Sequence, residues 1–252
     1  MISYESLKPN NNPFLFFPWM KNKIDFNKNH PFFFPYCGLV IFTGPQGSGK
    51  TLTADLYVED LLKKYPKCIL KTNLKLKDYP IDNKRVFLFK NQDDFFNTKN
   101  GEYGIIYFID EIQLYWNSLM SKNINSEVMQ VISQQRKQRI HIVGTSQVFG
   151  RLAKPLREQF SDVIVCKNYF GFIQVNKVVN RDSIEDNDNS TTLKGKVKKK
   201  NIWFHNPLYY DKYDTYYVIQ QNNFIAEEEK KINIYDTEYS VSLKNYGGGN
   251  NG

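Results

Sequence analysis

Eight consecutive residues of this chain have the types and spacing needed to bind the phosphates of a nucleotide. The segment Gly44-Pro45-Gln46-Gly47-Ser48-Gly49-Lys50-Thr51 fits the phosphate-loop (Walker A) pattern at every required position. Glycines in such a loop free the backbone amides to surround phosphate oxygens. The lysine ammonium reaches the β- and γ-phosphates, and the Thr51 hydroxyl ligates Mg²⁺. We therefore predict a site for ATP and Mg²⁺ at residues 44–51, extending to Leu52.

The residues around this segment distinguish a phosphate loop from a chance glycine-rich turn. A short apolar run, Cys37 to Phe42, predicts a strand before the loop. Apolar residues between Leu52 and Lys64 fall near helical spacing and predict a helix after it. Strand, loop and helix in this order are the context that a phosphate-binding motif requires.

A second apolar run ends in two carboxylates. Ile105 to Ile109 is continuously apolar and is followed by Asp110 and Glu111. An ordinary strand followed by a charged helix start would give the same pattern. Downstream of a phosphate loop, however, it predicts a Walker B element, in which Asp110 holds Mg²⁺ through water and Glu111 is the general base. Adjacent acidic residues are typical of hydrolytic motors rather than of nucleotide switches or most small-molecule kinases.

A third apolar run, Ile140 to Gly144, leads into Thr145-Ser146-Gln147. In open α/β sheets the ligand binds at the carboxyl ends of the strands, so Gln147 is a candidate sensor of the γ-phosphate or of the attacking water. The alternative is a glutamine that caps the strand. We expect His141, inside this strand, to be a core residue rather than a metal ligand, because no His and Cys residues have metal-ligand spacing.

Two arginines are candidates for stabilising the transferring phosphoryl group, commonly from a neighbouring subunit. Arg136 lies in Ser133-Gln134-Gln135-Arg136-Lys137, and Arg157 ends Lys154-Pro155-Leu156-Arg157. Either arginine could equally form a surface ion pair.

Strands that alternate with helices predict an α/β fold with a mainly parallel central sheet and right-handed crossovers. Further strands are predicted at Cys68–Thr72, Val86–Phe89 and Val163–Cys166, and a helix at Ser126–Gln138. Beyond Lys167 the runs Phe170–Val179 and Asn201–His205 predict a β-rich hairpin or flap.

With 252 residues and 41% hydrophobic content, the chain is long enough for one substantial core. We expect an N-terminal arm at 1–36, an ATPase domain at 37–220 with the 170–205 hairpin inserted, and a C-terminal extension at 221–252. The arm carries aromatic residues that should dock on another surface, most simply on this chain's own core. Gly247 to Gly252 is low-complexity sequence, which predicts disorder.

A net charge of +8 and a pI near 9.1 suit a polyanionic partner without requiring one. Much of the excess is concentrated in one cluster, the lysines Lys194, Lys196, Lys198, Lys199 and Lys200. These lysines are candidate DNA contacts or, alternatively, the solvated tip of a loop.

The three cysteines are widely spaced and lie in or beside apolar segments, so we expect reduced core residues in a cytosol-like compartment. No signal peptide and no run of about 18 apolar residues is present. We expect a soluble cytoplasmic protein, in the host cytoplasm or at a virion vertex if the chain is viral. Peripheral membrane contact through Phe32 to Phe42 is an alternative.

Taken in order, these motifs resemble the FtsK/HerA superfamily of DNA-pumping P-loop ATPases, and within it the zonula occludens toxin (Zot)-like proteins of filamentous phages. The resemblance spans roughly residues 37 to 220. It adds to the motifs above three short segments, Thr72-Asn73-Leu74, Ile112-Gln113 after the two carboxylates, and Tyr213-Asp214-Thr215.

The resemblance implies a RecA-like core of the additional-strand, catalytic-glutamate type, assembled into a ring, expected to be a hexamer, that packages or extrudes a viral genome. It also implies that Gln147 is the sensor glutamine, and Arg136 and Arg157 match positions where the family often carries arginine. No membrane-spanning segment follows the ATPase domain, in contrast to filamentous-phage members, which favours a motor that fills a preformed capsid. The lysine-bearing flap has no counterpart in the family pattern.

Other nucleotide-dependent functions fit the motifs less well. The only guanine-type Asn-Lys-x-Asp match, Asn22 to Asp25, lies upstream of the loop, which argues against a GTPase. No arginine-rich kinase lid and no Leu-Ser-Gly-Gly-Gln segment of an ABC transporter is present. An ATPase that drives coat-protein assembly or phage extrusion, without itself pumping DNA, remains the alternative to a DNA translocase with viral capsid or coat partners.

Overall fold

A computed structural model describes residues 13–74, 76, 83–89, 97–116, 132, 134–181, 184 and 195–212. Eight strands form one sheet: β1 (Gly38–Thr43), β2 (Ile69–Thr72), β3 (Val86–Leu88), β4 (Ile105–Ile109), β5 (Ile140–Ser146), β6 (Phe160–Tyr169), β7 (Ile173–Asn180) and β8 (Val197–Phe204). The described helices are α1 (Phe16–Asn29), α2 (Lys50–Lys64), α3 (Gln135–Gln138) and α4 (Lys154–Arg157).

The strand order across the sheet is β3-β2-β4-β5-β1-β6-β7-β8. Every pair from β3 to β6 is parallel, whereas β7 and β8 are antiparallel. Strand β5 lies between β1, which leads into the phosphate loop, and β4, which ends at Asp110. This inserted strand confirms the predicted RecA-like fold of the additional-strand type.

Both faces of the sheet are covered, as the continuously apolar strands predict. All five residues of β4 and all seven of β5 are buried. On one face, α2 packs Ala54, Val58 and Leu62 against the strands. The opposite face packs a second core around Tyr107, Trp116 and Leu156.

The N-terminal arm divides into a docked part and an exposed helix. Phe34 is fully buried, and its backbone amide donates to the Glu102 carbonyl at 2.9 Å. In contrast, none of the residues of α1 is buried, and Phe17 and Trp19 are more than half exposed. The aromatic residues of α1, which were expected to dock on this chain's own core, are therefore exposed instead.

The C-terminal hairpin continues the main sheet and does not stand apart from it as a flap. Strand β6 extends past Cys166, the expected end of the run, as far as Tyr169, and it pairs with β7 from Asp162 onward. Phe170 and Gly171 then form the tight turn, both with positive φ. The strand that was expected from Phe170 therefore begins only at Ile173.

Several predicted features fall outside the described residues. These are most of the Ser126–Gln138 helix, Lys194, Tyr213-Asp214-Thr215, the 221–252 extension and its Gly247–Gly252 tail. No helix in the described ranges is long and apolar enough to cross a membrane.

Candidate nucleotide site

The carboxyl ends of three neighbouring strands form the candidate site. In the pairing of β1 with β5, Thr43 lies opposite Ser146, and the Gly44 amide donates to the Ser146 carbonyl at 3.4 Å. Ile109 at the end of β4 pairs with Gly144 of β5. The parallel register therefore brings the phosphate loop, the predicted Walker B pair and the segment before Gln147 to the same end of the strands.

The phosphate loop passes from β1 into α2. Gly47 and Gly49 have φ values of 75° and 76°, in the left-handed region that favours glycine. The loop is closed by a hydrogen bond from the Ser48 amide to the Pro45 carbonyl, 3.2 Å. Lys50 begins α2 and is only 7% exposed, so its ammonium lies within the site rather than in solvent.

Asp110 is held by two threonine hydroxyls. Thr51 Oγ1 donates to Asp110 Oδ1 at 2.9 Å, and Thr145 Oγ1 donates to the same oxygen at 2.6 Å. Burial raises the pKa of Asp110 above its usual range, while the hydrogen bonds from Thr145 and Thr51 act in the opposite direction. A buried carboxylate with this desolvation cost is stabilised by a nearby cation.

Asn73 fixes the backbone at Asp110. Its Nδ2 donates to the Asp110 carbonyl at 2.9 Å, and its Oδ1 accepts from the Asp110 amide at 2.8 Å. Both partners are buried. The role of Asn73 was not predicted from its motif, although an asparagine at the carboxyl end of a strand is a signal for such a role.

Glu111 adopts an unusual backbone conformation. Its φ of 49° and ψ of 51° place it in the left-handed region, which is uncommon for a residue with a side chain and typical of functional sites. The Glu111 amide donates to Thr145 Oγ1 at 2.9 Å. Thr145 therefore contacts both acidic residues and was another position to which sequence analysis assigned no role.

Three cationic or amide groups surround the Glu111 carboxylate. Lys50 Nζ lies 3.4 Å from Oε1, and Gln147 Nε2 donates to the same oxygen at 3.2 Å. Gln113 Nε2 donates to Oε2. The structure thus places Glu111, Lys50 and Gln147 together.

The oxygen ligands at this edge suit Mg²⁺. Thr51 offers a hydroxyl, and Asp110 a carboxylate, at hydrogen-bond distance from each other. Hard divalent cations prefer such oxygen donors, and Mg²⁺ is usually bound by one or two carboxylates together with phosphates and waters. No separate cluster of three or more potential metal ligands occurs in the part of the chain described.

The two candidate arginines lie at the opposite ends of the strands from the phosphate loop. Arg136 in α3 precedes β5, and Arg157 in α4 precedes β6, so both lie at the amino ends of parallel strands. Arg136 is exposed, whereas Arg157 is only 5% exposed, and its carbonyl accepts from Arg181 Nε at 3.0 Å. An arginine that reaches a neighbouring subunit must project from the surface, so the geometry favours Arg136.

Four of the five cluster lysines lie within the described residues: Lys196 directly before β8, and Lys198, Lys199 and Lys200 on it. Lys198, Lys199 and Lys200 are exposed strand residues. Lys198 Nζ donates to Asp162 at 2.7 Å, which neutralises part of its charge. Because successive strand side chains point to opposite faces, Lys199 and Lys200 lie on different faces of the sheet.

His141 is a core residue, as predicted. Its Nε2 lies 3.0 Å from the Tyr57 hydroxyl and its Nδ1 lies 3.2 Å from the Gly38 carbonyl. Burial lowers the pKa of His141 to about 4, so the ring is neutral near pH 7. Cys68 and Cys166 are buried free cysteines, and burial raises the pKa of each thiol to about 12.

A known family model matches the central part of the chain. The model of the ATPase family associated with various cellular activities (AAA) matches residues 40–168, just over half of the 252 residues. This region contains the phosphate loop, the two carboxylates and Gln147. No curated protein sequence matches the chain.

Solved structures resemble the chain in fold. The N-terminal domain of zonular occludens toxin from Neisseria meningitidis has a TM-score of 0.50 at 20% identity, over 71% of this chain and 99% of that domain. The genome packaging NTPase B204 from Sulfolobus turreted icosahedral virus 2 gives 0.44 at 14% identity, over 63% and 95%. The flagellar accessory protein FlaH from Methanocaldococcus jannaschii gives 0.42 at 13% identity, over 62% and 84%. The first likeness confirms the Zot-like resemblance at the level of the fold.

Proposed function

Because this chain belongs to the AAA family of ATPases, it binds and hydrolyses ATP, and we propose that hydrolysis moves DNA during viral genome packaging or phage assembly. The observation that carries the catalytic part of the proposal is the position of Glu111. Its carboxylate lies beside the phosphate-loop lysine and Gln147 at the ends of three parallel strands.

Lys50 and the loop amides bind the β- and γ-phosphates in this proposal. The buried Lys50 ammonium lies 3.4 Å from the Glu111 carboxylate. When ATP binds, the ammonium can pair with a phosphate instead of with Glu111 after only a small movement of the side chain. Release from Lys50 leaves the Glu111 carboxylate free to accept a proton. Gln147 donates to the Glu111 oxygen that Lys50 also approaches. It is therefore close enough to the Glu111 carboxylate and to the γ-phosphate bound by Lys50 to orient the attacking water.

Hydrolysis then proceeds by in-line attack. Glu111 accepts a proton from water as the water oxygen bonds to the γ-phosphorus, and the bond between that phosphorus and the β-γ bridging oxygen breaks. The products are ADP and inorganic phosphate. The left-handed backbone at Glu111, held by Thr145, fixes the direction in which the carboxylate points.

Thr51 and Asp110 are the residues that would hold Mg²⁺, Asp110 through water. The ion supplies positive charge that neutralises phosphate oxygens. Asn73 and Thr145 hold Asp110 in place from the backbone and the carboxylate side, respectively.

Positive charge and the order of the motifs both support DNA as the partner. The chain has a net charge of +8, and exposed lysines lie along β8 at the edge of the sheet. The order of the motifs resembles DNA-pumping ATPases. A motor must pass any sequence, so contact should be made with the phosphate backbone and should weaken steeply with salt.

A ring of subunits, expected to be a hexamer, would complete the active site. Both candidate arginines lie at the edge of the sheet opposite the phosphate loop, so neither serves its own site. Arg136 is exposed there and would reach the phosphates bound to the next subunit around a closed ring.

The proposal is tested by ATPase rates with and without single- and double-stranded DNA at several salt concentrations. We expect stimulation by one kind of DNA, an affinity that falls with salt, and loss of both when the five cluster lysines are replaced by alanine. Replacement of Lys63 and Lys64, basic residues at the end of α2, is the control for removal of lysine charge elsewhere on the surface. ATPase activity that no DNA affects would reject DNA translocation and favour the coat-assembly ATPase.

A further inference from the structure

One side chain connects the phosphate loop to the C-terminal strands. Gln174 of β7 is fully buried, and its Nε2 donates to the Ser48 carbonyl at 3.0 Å and to Asn176 Oδ1 at 2.8 Å. A Cβ atom added to Gly49 would fall well inside van der Waals contact with Gln174 Oε1. The start of β7 therefore packs directly against the phosphate loop.

The hydrogen bonds continue from Gln174 into an aromatic group. Because both amide hydrogens of Gln174 are used, its Oε1 accepts from His205 Nε2 at 3.0 Å. The Tyr210 hydroxyl lies within hydrogen-bond distance of His205 Nδ1 and donates to the Gly171 carbonyl at 3.2 Å. Burial lowers the pKa of His205. Hydrogen bonds therefore link the phosphate loop through Gln174 and His205 to Tyr210.

Four aromatic side chains form a wall beside the loop: Trp203, His205, Tyr209 and Tyr210. Trp203 and His205 are stacked, with ring centroids 4.7 Å apart and planes at 26°. Tyr209 meets Trp203 edge-on at 6.5 Å, and Tyr210 lies 5.7 Å from His205. Trp203 pairs with Gln174 across β7 and β8, so it lies on the sheet face that carries α2 and the loop.

The direction of the bound nucleotide follows from the strand order. Asp110, Glu111 and Gln147 come from β4 and β5, on one side of β1. A γ-phosphate beside these residues leaves the nucleoside to extend to the other side of β1, toward β6, β7 and β8. The aromatic wall lies there, with Trp203 and Tyr209 only partly buried.

We infer that the aromatic wall is the base-binding subsite, where the purine of ATP packs against Trp203 and His205. This inference rests on the proposed nucleotide site. The flat π-faces of these side chains suit stacking with a purine, and the half-buried position shields one side of the base from water. Gln174 connects the subsite to the phosphate loop, because its side chain forms hydrogen bonds with both the Ser48 carbonyl and His205.

The strand supplies a matched control. Phe204 follows Trp203 on β8 but points to the opposite face of the sheet, where it stacks with Phe172 at 6.2 Å. Phe204 is 66% exposed. Truncation at position 204 therefore removes an aromatic ring from the same strand without touching the proposed subsite.

The test compares ATP with inorganic tripolyphosphate, which carries the phosphates without the nucleoside. Dissociation constants are measured by calorimetry with Mg²⁺ for the wild type, Trp203→Ala and Phe204→Ala. We expect Trp203→Ala to bind ATP about tenfold more weakly and tripolyphosphate unchanged, whereas Phe204→Ala changes neither. A Trp203→Ala variant that loses both ligands equally, or neither, would overturn the inference.

A second measurement does not depend on the alanine variant folding. ATP should quench the tryptophan fluorescence of the wild type, tripolyphosphate should not, and Trp203→Phe should abolish the quench while Trp19 and Trp116 remain. Equal responses to the two ligands would contradict the base subsite alone. Failure of the wild type to bind either ligand would instead contradict the nucleotide site on which the inference rests.

Discussion

Alanine at Gly49 and at Gly47 should destabilise the fold by different amounts, although the two glycines have nearly the same φ, 76° and 75°. Each substitution forces a side chain into the left-handed region, at a cost of about 1–2 kcal/mol. A Cβ at Gly47 meets nothing within 4 Å, whereas a Cβ at Gly49 collides with Gln174. The difference between the two variants therefore measures the contact between the loop and β7.

The magnitude follows from the bonds that Gln174 makes. Displacement of its side chain breaks or weakens hydrogen bonds to Ser48, Asn176 and His205, all between 2.8 and 3.0 Å. Buried hydrogen bonds contribute about 1 kcal/mol each, and an unsatisfied buried partner costs more. We expect Gly49→Ala to cost about 3–5 kcal/mol in free energy of unfolding and Gly47→Ala about 1–2 kcal/mol.

Urea unfolding without nucleotide, followed by circular dichroism, measures both variants. A double-mutant cycle then isolates the contact: in a Gln174→Ala background, Gly49→Ala should cost no more than Gly47→Ala does in the wild type. Equal destabilisation by the two glycine substitutions, or a Gly49→Ala cost that Gln174→Ala leaves unchanged, would refute the proposed coupling between the phosphate loop and the C-terminal strands.

Three further predictions test other parts of the structure. Burial lowers the pKa of folded His141 to about 4, below its usual value near 6.5. The free energy of unfolding of the wild type should therefore fall by up to about 3 kcal/mol between pH 6.5 and 4. In urea titrations over that range, His141→Gln should lose less stability. Replacement of exposed Arg136 by alanine should leave the thermal unfolding midpoint unchanged but lower the ATPase activity of the assembled protein. Replacement of buried Arg157 by alanine should lower that midpoint by several degrees. The reverse pattern would exchange the roles of the two arginines. Asn73→Ala should reduce kcat about tenfold or more with a smaller change in KM, because Asp110 loses both backbone bonds; unchanged kcat in steady-state assays would remove Asn73 from the site.

The sequence predicted best the parts of the site that are contiguous in the chain. Gly44 to Thr51 and the Asp110-Glu111 pair are local patterns, and each follows a buried strand whose apolar run is plain in the sequence. The parallel order of the strands then brings these segments to one edge. For this reason the fold class and the location of the candidate site could be predicted together.

Contacts between distant segments could not be predicted in the same way. Gln174 and Ser48 are 126 residues apart, and nothing in the local pattern of β7 indicates that one of its polar residues is buried against the loop. The sequence also does not show that Arg136 is exposed whereas Arg157 is buried. The exposure of α1 was not expected because its aromatic residues suggest a docked arm, whereas the buried aromatic residue is Phe34 in the segment that follows.

Displacement of streptavidin from the biotinylated end of a DNA strand would show whether ATP hydrolysis at Glu111 drives the proposed movement along DNA. We predict ATP-dependent release from single- or double-stranded DNA by the wild type. Glu111→Gln should bind ATP and DNA with little change but release no streptavidin. Hydrolysis by the wild type without displacement from either DNA would rule out movement along DNA. Displacement by Glu111→Gln at the wild-type rate would rule out Glu111 as the general base.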